Sequence, residues 1–322
     1  MKTRSLFVLS TLAFFLQACS YFGLNSGTNS SANESTNNGI STKKQIKEIK
    51  AVKDDSLPRK RLMILPFLDS SDTRPQVLRD RARAQFIKEL NQQGDLIVVD
   101  TADLKLDLSK QIRNGDYLLP EVAKAAHDLG VNAILEGKIV DLKVSRKADP
   151  VGIFRQIKTK FEAVVRVRVA TARSGKEIFN TTKSVILEES QTRVSENITI
   201  EKMLVTHPDL LEKLVADAFV DFAPQITGAL TKIVWEGRIA MINGDRIFLN
   251  VGKMTGIQPG DLLKVTEEGA EVFDPQTGNF IGKTPGRMKG TLEIISFFGQ
   301  DGSIAIIHSG AGFKESDRVE QY

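Results

Sequence analysis

The side chain with the most distinctive chemistry in this sequence is the thiol of Cys19, the only cysteine of the chain. It closes the box Leu16-Gln-Ala-Cys19, which follows an apolar run from Leu6 and a basic start at Lys2 and Arg4. This pattern is typical of a secretory signal peptide, which has a basic N-terminal segment, an apolar segment shorter than a transmembrane helix and small residues at the cleavage site. The pattern therefore predicts a signal peptide over residues 1–18 and a mature chain that begins at Cys19.

The box Leu16-Gln-Ala-Cys19 resembles the signal of bacterial lipoproteins, in which the cysteine is lipidated before cleavage. The resemblance implies diacylglycerol on the sulfur of Cys19 and, in many bacteria, a third acyl chain on its amino group. Two or more chains anchor a protein durably, since each buried methylene contributes about 0.8 kcal/mol. Ser20, not aspartate, follows the cysteine, which by analogy with enterobacterial sorting implies the outer membrane, facing the periplasm. The alternative is an ordinary signal peptide with a chance cysteine.

The composition is that of an ordinary globular protein with little net charge. The chain has 322 residues, enough for about two domains, and 41% of them are hydrophobic. Its net charge is +4, and removal of Lys2 and Arg4 with the signal peptide leaves +2. This balance does not indicate a nucleic-acid partner. Without a cysteine pair, the mature protein has no disulfide.

The sequence predicts neither an enzyme nor a metal protein. Its histidines, His127, His207 and His308, lie far apart and lack the spacing of ligands around one ion. Arg173-Ser-Gly-Lys-Glu177 lacks the upstream glycine and the Ser/Thr of a phosphate loop, and Gly310-Ala-Gly312 lacks the third glycine of a dinucleotide loop. We recognise no nucleophile–base pair. We therefore expect no catalytic, cofactor-binding or metal-binding residues, and one lipidation site at the anchor cysteine.

Residues 19–57 are predicted to form a flexible, lipidated tether. Residues 20–57 are rich in Ser, Asn, Thr and Gly and then in Lys, with few large apolar residues. Such a segment cannot bury enough surface to fold. Its basic stretch, from Lys43 to Lys53, is either a contact for anionic head groups or the cell wall, or simply a solvated linker.

Residues 58–230 are predicted to form an α/β domain. Continuous apolar runs indicate buried strands, and apolar residues at helical spacing indicate helices. The predicted strands are Arg61–Phe67, Leu96–Val99 and Ala133–Val140, and the predicted helices run from Pro75 to Gly94 and from Pro120 to Gly130. Their order predicts helices packed against a buried sheet.

The pattern changes to alternation over residues 157–170. Apolar residues from Ile157 to Val169 alternate with charged residues from Lys158 to Arg168, which predicts a strand with one buried and one wet face. A turn at Arg173–Lys176 leads into a further strand near Glu177–Leu187. Alternation could also mark a membrane β-hairpin, but the charges on the outward face and the lack of aromatic girdles favour a soluble sheet.

Three segments carry a resemblance to known periplasmic domains: Met63-Ile-Leu-Pro-Phe67, Ile97-Val-Val-Asp100 and Leu129-Gly-Val-Asn-Ala-Ile-Leu-Glu-Gly-Lys138. In this order they resemble the curli-secretion lipoprotein family, the amino-terminal domain of the Tol translocation protein and the middle domain of flagellar assembly protein T. The resemblance covers about residues 61–190. It implies an opening strand, a strand after the first helix, and a junction from helix into strand.

A broad apolar stripe predicts a helix over residues 208–230. We expect it to pack on the sheet, with a partner-binding amphipathic helix as the alternative. Pro224 is expected to kink or end it.

Residues 231–322 have the sequence pattern of an all-β domain. Short apolar runs separated by glycine-rich turns indicate a small barrel. The predicted strands are Ile233–Met241, Arg246–Val251, Leu262–Thr266, Gly290–Phe298, Ser303–His308 and Arg318–Tyr322. Together with the preceding region they give an α+β fold class.

Four motifs of this region resemble the carboxy-terminal domain of flagellar assembly protein T. They are Gly237-Arg-Ile, Asn243-Gly-Asp-Arg-Ile-Phe-Leu-Asn-Val-Gly252, Gly256-Ile-Gln-Pro-Gly-Asp261 and Asp274-Pro-Gln-Thr-Gly278. The resemblance implies an SH3-like barrel. From their residue type alone, Asp261 and Asp274 are expected to be turn residues that bind nearby backbone donors, and a catalytic carboxylate pair is the less favoured alternative.

The expected function is that of a non-catalytic lipoprotein, anchored through Cys19, which acts as an assembly or scaffold component of an envelope machine. A flagellar basal-body accessory is the specific expectation, although flagellar assembly protein T carries a further domain and no lipid anchor. The alternative is an oligomeric secretion channel of the curli-secretion type, for which residues 141–172 are the only candidate hairpin. Expected partners are the membrane and envelope proteins, and a homo-oligomer is left open.

Overall fold

The computed structural model describes residues 58–148, 157–191, 199–200, 202, 204, 207–278 and 280–322. Residues Asp55–Tyr322 form one compact unit. Cys19, the signal peptide and the tether lie outside the described residues, and so does the tip of the predicted hairpin at 149–156. The domain boundary at residue 230 stays a prediction.

Four α-helices, three short 3₁₀ helices and sixteen strands are assigned within the described residues. The α-helices are α1 (Gln76–Gln93), α2 (Leu119–His127), α3 (Pro208–Val220) and α4 (Ala223–Leu230). The strands of the first part are β1 (Lys60–Ile64), β2 (Leu68–Asp69), β3 (Leu96–Val99), β4 (Ile112–Arg113), β5 (Asp116–Tyr117), β6 (Ala133–Ala148), β7 (Ile157–Thr171) and β8 (Glu177–Gln191). The later strands are β9 (Glu236–Asn243), β10 (Arg246–Leu249), β11 (Leu262–Thr266), β12 (Glu271–Phe273), β13 (Phe280–Lys283), β14 (Met288–Phe298), β15 (Gly302–Gly310) and β16 (Arg318–Gln321).

The first part is built on a mixed sheet with strand order β3-β1-β6-β7-β8, to which β2 adds beside β6. β1 pairs in parallel with β3 and β6, as expected for strands joined by helical crossovers. β6, β7 and β8 are long and antiparallel. The model thus confirms a mixed α/β architecture.

One face of this sheet is covered by α1, α3 and α4. The helical spacing predicted for α1 is confirmed, since Leu78, Ala82, Phe86 and Leu90 are its buried residues. Gly94 ends α1 with a φ of 74°, a conformation that glycine adopts without steric cost. The apolar side chains of β7, from Phe161 to Val169, complete this core.

Pro224 has the predicted effect on the long helical stretch. α3 ends at Val220, and α4 begins at Ala223 with Pro224 in its first turn. Proline lacks the N–H that would continue the ladder of α3. Phe219 and Phe222, on either side of the break, are both fully buried, so the two helices cover the sheet as predicted.

α2 packs on the opposite face of the sheet. Val122, Ala123 and Ala126 contact the apolar side chains of β1 and β6 in a second core. The short β4–β5 hairpin lies beside the same face. The turn between β7 and β8 approaches α2 closely, because an added Cβ at Gly175 would lie 2.6 Å from Cα of Pro120.

The second part is a closed six-stranded barrel with order β10-β15-β14-β11-β16-β9. All neighbouring strands are antiparallel. Its core includes Trp235, Ile247, Leu263 and Val319. The barrel predicted from the short strands is confirmed, and β11 has the predicted bounds. The β12–β13 hairpin forms a separate two-stranded sheet and was not predicted.

Two strand predictions need correction. β6 continues to Ala148 instead of ending at Val140, because apolar and polar residues alternate in its later part and it stays paired with β7. A bulge between Ile139 and Asp141 separates the two parts of the strand. The predicted wet face of β7 is partly buried, since Arg166 and Arg168 are paired with a buried carboxylate. None of the helices in the described ranges is both long and apolar enough to cross a membrane.

Candidate functional site

The residues singled out in the sequence do not converge on one site. Cys19 lies outside the described residues. His207 precedes α3 and His308 lies on β15, and both are exposed. His127 is different, because it is the last residue of α2 and only 4% of its surface is exposed. The charged cluster around His127 is therefore the candidate site.

Arg238 of β9 holds His127 through three contacts. Its Nε donates to the His127 carbonyl at 3.0 Å, and its Nη2 lies 2.7 Å from Nδ1 and 2.8 Å from Nε2 of the ring. A guanidinium can only donate hydrogen bonds, so the ring must offer an unprotonated nitrogen. The contact therefore joins a neutral imidazole on α2 to a cation on the barrel.

Two carboxylates balance the cations of this cluster. Glu268 Oε2 lies 3.2 Å from Arg238 Nη1, and its Oε1 lies 2.8 Å from Nζ of Lys283. Burial works against ionisation of Glu268, but the Lys283 hydrogen bond and the Arg238 charge outweigh it and hold its pKa below the usual range. Glu268 is thus an anion that fixes two cations.

Glu236 is the second carboxylate, and its contacts are looser. It lies 3.6 Å from Arg173, 3.8 Å from His127 and 3.9 Å from Arg318. Burial lowers the pKa of His127, the Glu236 carboxylate opposes this shift, and the Arg238 charge adds to it. Burial prevails, so His127 is held in its neutral form.

A cavity of about 210 Å³ opens beside Glu236. Its walls combine polar and aliphatic groups: His127, Val131, Asn132, Thr171, Arg173, Ser174, Ile233, Val234 and Glu236. The hydroxyls of Thr171 and Ser174 lie 2.7 Å apart and bind each other. The cavity is smaller than the ~300–1,000 Å³ of ordinary ligand sites.

Further polar contacts join the same two parts of the chain. Asn132 donates to the Glu236 carbonyl at 3.0 Å and accepts from the Arg61 N–H at 2.8 Å. Lys124 of α2 pairs with Glu271 of β12 at 2.8 Å. The Asn132–Glu236 and Lys124–Glu271 contacts each link a residue before 133 to one after 235. The cluster is consequently a polar joint between the sheet and the barrel.

A second buried cluster lies on the sheet itself. Glu136 is fully buried, and its carboxylate accepts from Arg168 Nη2 at 2.5 Å and from the Tyr117 N–H at 2.8 Å. Arg166 bridges Glu136 and Asp116, with Nη2–oxygen distances of 3.2 and 2.6 Å. Burial, together with the Glu136 charge, raises the pKa of Tyr117 to about 12. This network fixes the β4–β5 hairpin on the sheet.

Sequence reasoning missed Arg238 and Glu136. Glu136 had a usable signal, because a carboxylate inside the apolar run Ala133–Val140 must find cationic partners. Arg238 had no such signal, since its partner His127 lies 111 positions away in the sequence.

The predicted roles of Asp261 and Asp274 are confirmed: Asp261 accepts from the Gln258 N–H, and Asp274 accepts from two N–H groups of its own turn, each at 2.8 Å. Within the described ranges, no group of three or more His, Cys, Asp or Glu residues could hold a metal ion.

No protein-family model matches the sequence, and no curated protein matches it. Several solved structures match about half of this chain. A hypothetical protein from Chlamydia trachomatis is 16% identical, with a TM-score of 0.35, over 53% of this chain and 98% of that chain. A lipoprotein from Neisseria meningitidis is 16% identical, with a TM-score of 0.28, over 51% and 99% of the two chains. The PelC dodecamer of Paraburkholderia phytofirmans is 9% identical, with a TM-score of 0.29, over 52% and 88%. At these scores the likeness assigns neither a family nor a function to this chain.

Proposed function

We propose that this protein is a lipid-anchored, non-catalytic component of a bacterial envelope assembly. The observation that carries the proposal is the box Leu16-Gln-Ala-Cys19 behind a basic head and an apolar run. Its cysteine is the only one in the chain, which favours a dedicated modification over a structural role. Lipidation of Cys19 would attach the mature chain to the periplasmic face of the outer membrane without a spanning helix.

Two features of the folded part support a scaffold role: its buried charges are paired, and polar contacts join the sheet to the barrel. The charged groups with the greatest burial are engaged with one another or with backbone groups, as Glu136 is with Arg168 and Tyr117, and Arg238 is with His127. The joint at His127 combines the sheet and the barrel into a body that can present both surfaces in a fixed relation. Such a body suits simultaneous contacts with two partners better than it suits chemistry.

The specific assembly that we propose is the flagellar basal body, with this protein as an accessory. The support is the order of motifs that resemble the middle and carboxy-terminal domains of flagellar assembly protein T. The resemblance to the carboxy-terminal domain implies an SH3-like barrel. Asn243–Gly252 and Gly256–Asp261 are the longest of the four motifs in the barrel region. The first contains the β9–β10 turn and β10, and the second is the turn before β11.

Cell fractionation with metabolic palmitate labelling tests the anchor. Wild-type protein should take up label and remain with the outer membrane after a high-salt wash. The Cys19→Ser variant should take up none and should leave the membrane fraction or remain as an uncleaved precursor, since no other side chain of the box carries a thiol. A processed Cys19→Ser protein that stays in the outer membrane would overturn the proposal.

The flagellar version has its own test. Deletion of the gene should reduce swimming and alter images of the basal body, and expression of the wild-type chain should restore both. Intact swimming with unchanged motors would exclude the flagellar role and leave the lipoprotein assignment in place, because the two experiments measure different properties.

A further inference from the structure

The mixed sheet ends in an unusually long edge strand. β8 has 15 residues, and among the described residues it pairs only with β7. Its length compares with about 5–6 residues for a typical strand. The outer side of such a strand presents unpaired N–H and C=O groups, which form a template for another strand.

Two features that commonly protect an edge, proline and a bulge, are missing from the main part of β8. It contains no proline, and its ladder with β7 is regular from Phe179 to Gln191. Lysine often guards edges, but Lys183 is used elsewhere: its Nζ donates to the Asp221 carbonyl at 2.7 Å and lies 4.6 Å from the centre of the Phe222 ring. The other charged residues, Glu177, Glu188 and Glu189, lie towards the two ends of β8, so the stretch Ser184–Leu187 at its centre is uncharged.

Two large apolar residues on β8 are exposed at neighbouring positions. Ile186 is 47% exposed and Leu187 is 40% exposed. Ile186 lies opposite Glu162 of β7 and so shares the polar face of the sheet, whereas Leu187 lies opposite Phe161 and shares the helix face. An added strand would shield both residues, because it extends both faces at once.

The rest of the described chain offers no suitable partner for this edge. The opposite edge of the sheet, β3, has four residues. The barrel is closed and has no edge, and the strands of the two small hairpins have at most four residues. A β8–β3 pairing between copies would use only four positions and would continue as an open fibre. A second β8 matches in length and closes the assembly with a two-fold axis.

We propose that two copies of this chain pair antiparallel through β8, with Ile186 facing Ile186 across the two-fold axis. Residue pairs related by this axis lie on the same face of the joined sheet. Val185 of one copy then lies opposite Leu187 of the other, which covers the exposed leucine. Ser184 lies opposite Glu188, so the central positions oppose no like charges. The overlap extends over residues 181–191 of each strand.

Sedimentation velocity of the full mature chain carrying Cys19→Ser tests this pairing. We expect a dimer that dissociates on dilution within about 1–200 μM, and an Ile186→Lys variant whose dissociation constant rises about tenfold or more, because it places two ammonium groups opposite each other. Ile295→Lys is the matched control, since Ile295 is 41% exposed but lies on the closed barrel. It should dimerise like the parent protein, and all three proteins should have the same circular dichroism.

Cysteine cross-linking tests the register. In the Cys19→Ser background, Ile186→Cys places its two thiols across the axis, where opposite Cβ atoms are about 4.5–5.5 Å apart. It should form a disulfide-linked dimer under mild oxidation, whereas Ile295→Cys should not. A parent protein that remains monomeric over the whole concentration range, or an Ile186→Lys variant that dimerises normally, would overturn the proposal. The first result would leave an extended peptide of another protein as the occupant of the edge.

Discussion

Arg238 and His127 are joined by a guanidinium that binds both the backbone and the ring of the histidine. Arg238 Nε lies 3.0 Å from the His127 carbonyl oxygen, and Nη2 lies 2.7 Å from Nδ1. The same guanidinium reaches Glu268 and the Ser316 carbonyl through Nη1. One side chain of the barrel thus contacts the end of α2, a half-buried carboxylate and a loop.

Substitution of Arg238 should destabilise the whole folded part. Arg238→Met retains much of the apolar stem but leaves the His127 carbonyl without its donor, while Glu268 keeps Lys283 as its remaining cation. Loss of the donor to a buried acceptor costs about 1–3 kcal/mol of unfolding free energy. Urea unfolding of the variant measures this loss. Arg246→Met on the exposed side of β10 is the control and should change stability by less than about 0.5 kcal/mol.

His127 should make stability depend on pH. Its pKa in the folded chain lies below the ordinary 6.5, chiefly because burial disfavours the cation. The unfolded chain therefore binds a proton at His127 that the folded chain does not bind. The contribution is fully present above pH 6.5 and is lost as pH falls from there towards the folded-state pKa. Urea midpoints measured across this range should fall with pH in the wild type and fall less in His127→Gln. His308→Gln, at an exposed histidine, should behave as wild type, and equal slopes in all three proteins would contradict the assignment.

Glu136 should stabilise the sheet from its fully buried position. Glu136→Ala leaves the Tyr117 N–H without its acceptor, whereas Arg168 keeps the Glu177 carboxylate and the Tyr117 carbonyl. We expect the unfolding free energy to fall by about 1–3 kcal/mol, because a buried donor is left unsatisfied. Thermal unfolding measures the loss. Glu315→Ala, in an exposed loop, is the control. A variant that melts within 1–2 °C of wild type, on the order of a few tenths of a kcal/mol, would show that the network is dispensable.

Two glycine-to-alanine substitutions should change the free energy of unfolding in opposite directions. A Cβ at Gly137 of β6 would lie 2.5 Å from the Phe67 ring, which itself packs on Phe219 with centroids 4.3 Å apart. Gly137→Ala should therefore cost about 1–3 kcal/mol through overpacking. Gly228, inside α4, meets nothing within 4 Å and has no positive φ, so Gly228→Ala should stabilise by about 0.5–1 kcal/mol. Chemical unfolding of the pair separates steric conflict from the general effect of replacing glycine.

Local patterns predicted the elements that bury a single face. The spacing of Leu78, Ala82, Phe86 and Leu90 located α1, and alternation located β7, because each pattern reflects one apolar face against one core. The strands of the barrel were predicted from the glycine-rich turns that separate their short apolar runs. The β4–β5 and β12–β13 hairpins were missed, since strands of two to four residues are too short to show a period.

The joint at His127 could not be predicted from local patterns. Arg238 and His127 come from separate parts of the chain, and each one alone is typical of a solvated side chain. The length of β6 was underestimated for a related reason. Asp141, Lys143 and Ser145 interrupt the apolar run, yet they continue a strand whose other face is buried by Leu142. Burial of one face is visible only when the neighbouring strands are known.

The first strand of the fold depends on residues that the ribosome makes near the end of synthesis. Arg61 Nη2 lies 2.6 Å from Asp301 Oδ2, across 240 positions of sequence, and the Arg59 N–H donates to the Thr255 carbonyl at 2.7 Å. At ~5–20 residues per second, a growing chain holds β1 for roughly 12–50 s before Asp301 exists. During most of that interval these two contacts cannot form, although β3 and β6, the strands that pair with β1, are made well before its end. Completion of the barrel therefore adds the last contacts to the beginning of the folded chain.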